Sequence, residues 1–486
     1  MNISKNIIKA IILGIISLFA ACEGNLEPII YDSIAPSNFF KTRDDVNAAV
    51  TAIYSEFSWD YENRIYNGEI GTDEYRNNWG GADQENNFEW KGDGTYSGMY
   101  FQKVPAVTRA GALLTVIEGI NFLSAGEKNR FIGEVKTARA IHMFDLLNSY
   151  GPCPVILDNE NLTNPDNSYK PPRPALNTAE GQEFYASYIN QIENDLIDAS
   201  QKLDSKAQNF GRFDKGISLT ILMKLYMHQK EWEKAEQISS QIINLGRYEL
   251  EDNYSTIWSI DNEMNKEIIW ALPRTSNTLG QTFRSRTLYS PYDLTTEDKW
   301  NGDKVRFEFY DSFESNDLRK NKIIVQFTNS KGNVIDMRAE GTDFYGGFSL
   351  KYDIDPDAVM MSGIDVIYLR YADVILCRAE ALNEISGPNQ ESIDLINQIR
   401  IRAGLSNILV SDFTSQSELR DHILAERGWE FYMEGLRRED LIRHNRYIER
   451  ARVRTTSAQD FHNLYPIPKR AYYENNYITQ NPGYDF

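Results

Sequence analysis

Apolar residues recur every three to four positions through most of this chain, and the stretches where that rhythm fails divide it into parts. Near Thr42-Arg43-Asp44-Asp45 the pattern predicts a helix. Its acids sit in the first turn, where free backbone N–H groups favour negative charge, and Val46, Ala49, Val50 and Ile53 share one face. Helical spacing returns over 104–150, through Ile141, Phe144 and Leu147, and Gly151-Pro152 stops it. It resumes near Gly181.

Residues 216–245 predict a helical hairpin. Leu219, Leu222, Met223 and Tyr226 line the first helix, and Trp232, Ala235, Ile238 and Ile242 line the second, across a polar turn at His228-Gln229-Lys230. The Trp-x-x-Ala spacing resembles a tetratricopeptide unit, in which a small residue lets two helices approach closely. A comparable hairpin is expected over 366–384 and 391–402, broken at Gly387-Pro388. The two hairpins lie far apart in sequence, which argues against a tandem solenoid.

Two regions lack a sustained period. Residues 58–103 are rich in Asn, Gly, Asp and aromatics, and residues 250–365 mix aromatic loops with short strands at 267–272, 323–327 and 334–337. The last two strands flank Asn329-Ser330-Lys331-Gly332-Asn333 and read as a β-hairpin. Irregular stretches this long inside a domain usually carry function, and their aromatic density argues against disorder. Residues 461–486 are mostly extended, held so by prolines. The predicted fold is mostly α: tetratricopeptide-like helix pairs form a scaffold, with long irregular loops and a few short β-hairpins. Its boundaries are 1–21 (leader), 22–40 (tether and extended arm) and 41–486 (one composite domain with helical parts at 41–57, 104–245 and 366–445).

Residues 423–443, ILAERGWEFYMEGLRREDLIR, look like the keystone. Ser415 and Glu418 have the capping-box order, and Gly435 is where the helix is expected to end. Trp429, Met433 and Leu436 form one predicted buried stripe. Glu426, Glu430 and Glu434 form another, and like charges four apart repel, so they need cationic partners. Arg427, Arg437, Arg438 and Arg443 are the nearest in sequence. With no nucleophile nearby, the stripe reads as a structural ion-pair network rather than a catalytic carboxylate site.

Charge and cysteines narrow the class. The 486 residues carry a formal charge of −19, which argues against general nucleic-acid binding. Lys5 and Lys9 precede and flank a short apolar run ending at Ala21, shorter than the ~20 residues of a membrane span, as in an export signal. Leu18-Phe19-Ala20-Ala21-Cys22 resembles a bacterial lipobox, with Phe19 where Leu is usual, and makes Cys22 the expected lipidated residue. Cys153 and Cys377 read as packed thiols. Asp353, Asp355 and Asp357 begin like a calcium loop, but Ala358 replaces the needed Gly and Ile364 the bidentate Glu. The histidines show no metal-ligand spacing, so neither metal nor cofactor is expected.

Several motifs together resemble the SusD/RagB family. Arg370-Tyr371-Ala372-Asp373 running to Ala379-Glu380-Ala381-Leu382-Asn383-Glu384 is similar to its "RYA … AEALNE" helix, and Asn397 to Leu405 to its "N-x-hydrophobic-R-x-RAGL". Glu426-Arg427 to Phe431 and Glu434-Gly435 to Arg443 resemble "ER-x-x-E-F … EG-x-R-x-x-DL-x-R", and Pro466-Ile467-Pro468 with Gln480 to Tyr484 resembles the closing "PIP … QNPGY". Pro36-Ser37-Asn38-Phe39-Phe40 and the stretch from Arg139-Ala140 to Tyr150-Gly151 also fit. The resemblance implies a lipid-anchored, surface-facing outer-membrane protein of Bacteroidetes. It would form a lid on a SusC-like TonB-dependent transporter and capture nutrients, usually oligosaccharides, without altering them.

Sugar capture needs flat apolar faces and converging hydrogen-bonding groups, since a buried polar group left unpaired costs ~1–3 kcal/mol. Two stretches supply both: Tyr75, Asn77, Asn78, Trp79, Asp83, Trp90 and Tyr96 in one, and Arg284, Arg286, Tyr289, Tyr292 and Trp300 in the other. Alternative readings are the same lid binding peptides or another nutrient, a glycoside hydrolase on a helical scaffold, and a protein-interaction scaffold.

Overall fold

The computed structural model describes residues 39–58, 60–157, 159–162, 169–339 and 345–486. The expected leader, Cys22 and the arm up to residue 38 lie outside them. The chain divides into a short unit, 1–46, and a large one, 47–486. The first long helix, α1 (Arg43–Ser55), starts where the sequence places it.

The helices of the large unit form a continuous layer, each packed on the next: α3 (Ser97–Gly119), α4 (Ala125–Tyr150), α5 (Ala179–Lys202), α6 (Lys215–Gln229), α7 (Trp232–Asn244), α8 (Tyr371–Ser386), then α9 (Gln390–Arg402) and α10 (Gln416–Phe431) against α8. Local chemistry sets their ends. Ser124 and Glu127 cap α4 reciprocally, through Glu127 N–H to Ser124 Oγ (3.3 Å) and Ser124 N–H to Glu127 Oε2 (3.2 Å). Lys230 takes φ +58° and lets α7 fold straight back on α6, where Ala235 is fully buried. Among the described residues no helix is long and apolar enough to cross a membrane.

The hairpins α6–α7 and α8–α9, distant in sequence, are neighbours in space, because α7 packs on α8. Two expectations are corrected. Residues 366–370 are strand rather than helix. They form β8 (Val366–Arg370), buried along its whole length and antiparallel to β2 (Ile268–Leu272), as suits a β-branched and aromatic run without a polar face. This pair closes the long insertion between α7 and α8. Finally, the region 58–103 holds a helix, α2 (Asp60–Glu69), and a strand, β1 (Tyr75–Asn77), and α3 begins at Ser97 with Pro105 inside it. A polar helix leaves little apolar periodicity to read.

Within the insertion, β3 (Asp303–Arg306), β4 (Ile323–Ile324) and β7 (Gly346–Ser349) join β1 in an antiparallel sheet of order β1-β3-β7-β4. β5 (Gln326–Thr328) and β6 (Val334–Asp336) form the predicted hairpin. Leu288, Tyr292, Met337 and Phe348 make a local core beside them, with Tyr289 and Phe327 against it.

The keystone is a buried ion-pair network. Glu426 pairs with Arg319 (2.6 Å) and Arg400 (3.3 Å), Glu430 with Arg402 (2.5 Å), Arg370 (2.6 Å) and Arg319 (3.2 Å), and Glu434 with Lys351 (2.5 Å) and Arg370 (2.8 Å). The partners are therefore remote in sequence, not the adjacent arginines. Arg427 holds Asp373 and Asp440, Arg437 holds Asp73, Arg443 holds Glu380 and Asp440, and Arg438 donates to the carbonyls of Asn148 and Asn463.

The reason is that α10 ends at Phe431, four residues before Gly435. Tyr432 is extended and Met433 takes φ +60°, so Glu434 leaves the helical stripe and the arginines beyond it turn to other faces. Two buried carboxyls grip this turn: Glu74 accepts from Met433 N–H (3.1 Å) and Glu69 from Gly435 N–H (2.6 Å). Lys351 donates to the carbonyls of Glu430 (3.1 Å) and Tyr432 (2.9 Å). Met433 and Leu436 are buried as expected, whereas Trp429 is half-exposed and donates to Ser312 Oγ at 3.0 Å.

Candidate functional site

Where β1 ends and β3 begins, the sheet edge carries two exposed tryptophans. Asn77 Oδ1 accepts from Trp79 N–H (2.9 Å), a local turn that swings the chain out of β1. Asn86 holds the strand end in place, taking Asn77 N–H (3.3 Å) and donating to Asn77 O (2.7 Å). On the other side, Trp300 N–H donates to Ser285 O (2.7 Å), Asn301 N–H to Leu288 O (3.0 Å) and Gly302 N–H to Arg286 O (2.8 Å). Asn301 takes φ +55° to make that turn. The 300–302 segment is thereby clamped to the short helix Phe283–Thr287.

The two loops then lock together. Asn78 N–H donates to Gly302 O (2.8 Å), and Trp79 Nε1 donates to Trp300 O (3.1 Å). A Cβ on residue 302 would lie 2.6 Å from Trp79 Cε2, so the indole rests on a floor that only glycine allows. Trp79 and Trp300 are 38% and 39% exposed. The Arg286 guanidinium sits 4.9 Å from the Trp79 ring centroid.

Asp303 organises this edge from below. It takes Arg286 Nε (2.8 Å), Tyr75 Oη–H (2.6 Å) and the Asn77 amide (2.7 Å). Burial pushes its carboxyl up, but Arg286 and the hydrogen bonds of Arg286, Tyr75 and Asn77 outweigh burial and hold it below the ordinary value. Arg286 is thus fixed as a cation with its plane beside the indole. Exposed Val359 and Met360 border the face, tied in by Asp298 N–H to Val359 O (3.0 Å) and Ser285 Oγ to Met360 O (2.9 Å).

The structure brings together Trp79, Trp300, Arg286 and Asn78, whose recessed side-chain oxygen has no hydrogen-bond partner among the described residues. It removes four of the expected contact residues. Tyr75 is buried under Asp303, and Tyr96 stacks on Tyr465 at 4.8 Å. Trp90 lies between Phe88 and Tyr465 and donates to Glu85 O (2.9 Å), and Tyr292 packs on Phe327 and Phe348. Their task is to pack the loops. Tyr289 is half-buried against Phe327. Arg284 is fully buried and holds Tyr352 O (2.7 Å) and Glu297 (3.1 Å), which shapes the 294–300 loop. Exposed Tyr345, stacked on Arg76 at 3.8 Å, was not anticipated; an aromatic next to Gly346-Gly347 was the available signal.

Residues 328–484 match the model of the SusD family. A SusD-like protein of Formosa agariphila is 25% identical, covering 96% of this chain and 95% of its own length. The starch-binding protein SusD of Bacteroides thetaiotaomicron is also 25% identical, over 78% of this chain and 76% of its own. Among solved structures, a laminarin-binding SusD-like protein superposes with a TM-score of 0.75 at 22% identity, covering 91% of this chain and 99% of that one. A surface glycan-binding protein of B. thetaiotaomicron solved with laminarihexaose superposes with a TM-score of 0.72 at 19% identity.

Proposed function

We propose that this SusD-like protein captures oligosaccharides at the cell surface and hands them to a TonB-dependent, SusC-like transporter without cleaving them. The Trp79–Trp300 face carries the reading. Two indoles fixed at one sheet edge, with a charged guanidinium beside them, suit the flat C–H faces and hydroxyls of pyranose rings. The face is preorganised: Trp79 is held by its own N–H and by the Gly302 floor, so little freedom is lost on binding. The relatives' names fit, since they include starch- and laminarin-binding proteins. Anchoring through Cys22 at the outer face of the outer membrane belongs to the same proposal.

Affinity electrophoresis through gels containing single polysaccharides tests it. Covering ~80 Å² of indole contributes about 2 kcal/mol, so Trp79→Ala and Trp300→Ala each weaken capture ~30-fold. Ligand recovered after incubation is unchanged in length. Retardation that survives in both variants removes the site; release of shorter products removes the passive-capture reading. Binding of peptides in place of glycans favours the same lid acting on another nutrient.

A further inference from the structure

The opposite end of the strand pair that carries Trp79 holds a group of arginines that the tryptophan face does not use. Arg76 and Lys304 lie directly across from each other on β1 and β3, and Arg306 follows two residues along β3 on the same face. Arg306 is only 8% exposed. Its Nε donates to the carbonyls of Thr72 (3.3 Å) and Tyr75 (2.9 Å), which fixes the guanidinium plane. Among the described residues it forms no ion pair, and its two terminal nitrogens make no hydrogen bond.

Arg454 reaches the same segment from the C-terminal region, donating to Gly71 O (2.7 Å) and Arg450 O (3.0 Å), again without a carboxylate among the described residues. Burial, then Arg454 and Arg76, bring the Arg306 guanidinium down to about 9. The acids in reach, Asp73 and Glu308 among them, act on Arg306 through space without an ion pair to it. Asp73 is held by Arg437 (2.9 Å to each oxygen) and by Arg450, Asp83 pairs with Arg76 (2.7 Å), and Glu308 is exposed. Opposite Arg306, β7 presents Gly346, which adds no side chain.

We propose that Arg306, with Arg76 and Arg454, forms an anion-binding subsite for the carboxylate or sulfate substituent of an acidic oligosaccharide. A guanidinium pinned through Nε leaves its two terminal nitrogens as a fork, the geometry that matches a two-oxygen anion. The exposed ring of Tyr345, stacked on Arg76, offers a flat face to the sugar that bears the charge. Arg76 precedes Trp79 by three residues, on the strand that turns out at Asn77 to place that indole, so a glycan lying along this edge meets both places. The acidic character of the whole chain does not oppose this: charges beyond ~8 Å are largely screened at physiological salt. The inference rests on the oligosaccharide-capture reading.

The test uses chemically paired polymers on the intact protein: a galacturonan against its fully methyl-esterified form, and a sulfated galactan against its desulfated form. Affinity electrophoresis is run at 50 and 500 mM NaCl, where the Debye length is about 14 Å and about 4 Å. The expected result is at least ~10-fold tighter binding of one acidic member at low salt, lost at high salt, and reduced at least ~5-fold in Arg306→Met and in the exposed-site variant Arg454→Gln. Which pair discriminates tells carboxylate from sulfate. Equal binding of charged and uncharged members, with both sensitive to Trp79→Ala, overturns the subsite and leaves glycan capture standing. Binding of no polymer by the unaltered protein overturns both. The salt dependence needs no variant, so misfolding of Arg306→Met does not decide the outcome.

Discussion

Glu430→Gln separates a structural role for the keystone from a binding role. The carboxylate is fully buried and accepts from Arg402, Arg370 and Arg319. Burial alone would push it up, but the three arginines outweigh burial and hold it at about 2, against an ordinary 4.5. That difference corresponds to about 3 kcal/mol of folding free energy at neutral pH. Gln keeps the shape and one acceptor but leaves three buried guanidiniums short of charge, which costs ~3–5 kcal/mol. At ~2.1 cal/mol/K of unfolding entropy per residue, the unit 47–486 melts ~3–5 °C lower. The sign with pH follows from a depressed carboxyl: the stabilisation is complete above about 4.5 and is lost as pH falls through about 2, so the variant's acid unfolding is shallower there. Thermal and acid melts, with glycan affinity measured on the same preparations, check this. A variant that melts with the parent yet no longer binds ligand would refute the reasoning.

Two further outcomes follow from the same geometry. Glu69 and Glu74 share a buried site; burial and the neighbouring Glu74 push Glu69 up, and burial brings Glu74 to about 7. The folded chain therefore keeps a proton the unfolded chain releases, and stability falls as pH rises from about 4.5 to about 7; Glu69→Gln, which supplies the N–H permanently, flattens that fall in melts at pH 5 to 8. Gly302→Ala drives a methyl group into Trp79, so glycan retardation drops ~10-fold or more while the melting temperature moves by less than ~2 °C; the reverse pattern would place the glycine's role in folding instead.

The scaffold was legible because buried helices must repeat their apolar face, and α4, α6 and α7 show that repeat with clear stops at Gly151 and Lys230. β8 was misread since a wholly buried strand and a buried helix segment share one signature, an unbroken apolar run. The ion-pair stripe was visible, but its partners were not: Arg319, Lys351, Arg370 and Arg402 meet it only through tertiary packing. At the candidate face, composition pointed to the two loops that meet at this sheet edge and could not sort exposed Trp79 and Trp300 from buried Trp90 and Tyr96. That distinction depends on Tyr465, some 370 residues along the chain, covering the latter pair.

The β2–β8 pair has a consequence for how such a protein changes its cargo. Because the strands run antiparallel, with Leu272 opposite Val366, the segment between them leaves and re-enters the helical layer at one point. Lengthening that segment adds only ~0.6 kcal/mol of closure entropy per doubling and leaves the spacing of α7 and α8 untouched. The insertion has its own local core and meets the first loop through the pairing of β1 with β3, while Arg319 and Lys351 tie it to the buried carboxyls of Glu426, Glu430 and Glu434. Exchanging residues 273–365 together with 71–79, with Arg319 and Lys351 kept, transplants both sides of the β1–β3 pairing; exchanging 273–365 alone leaves Trp79 without its floor.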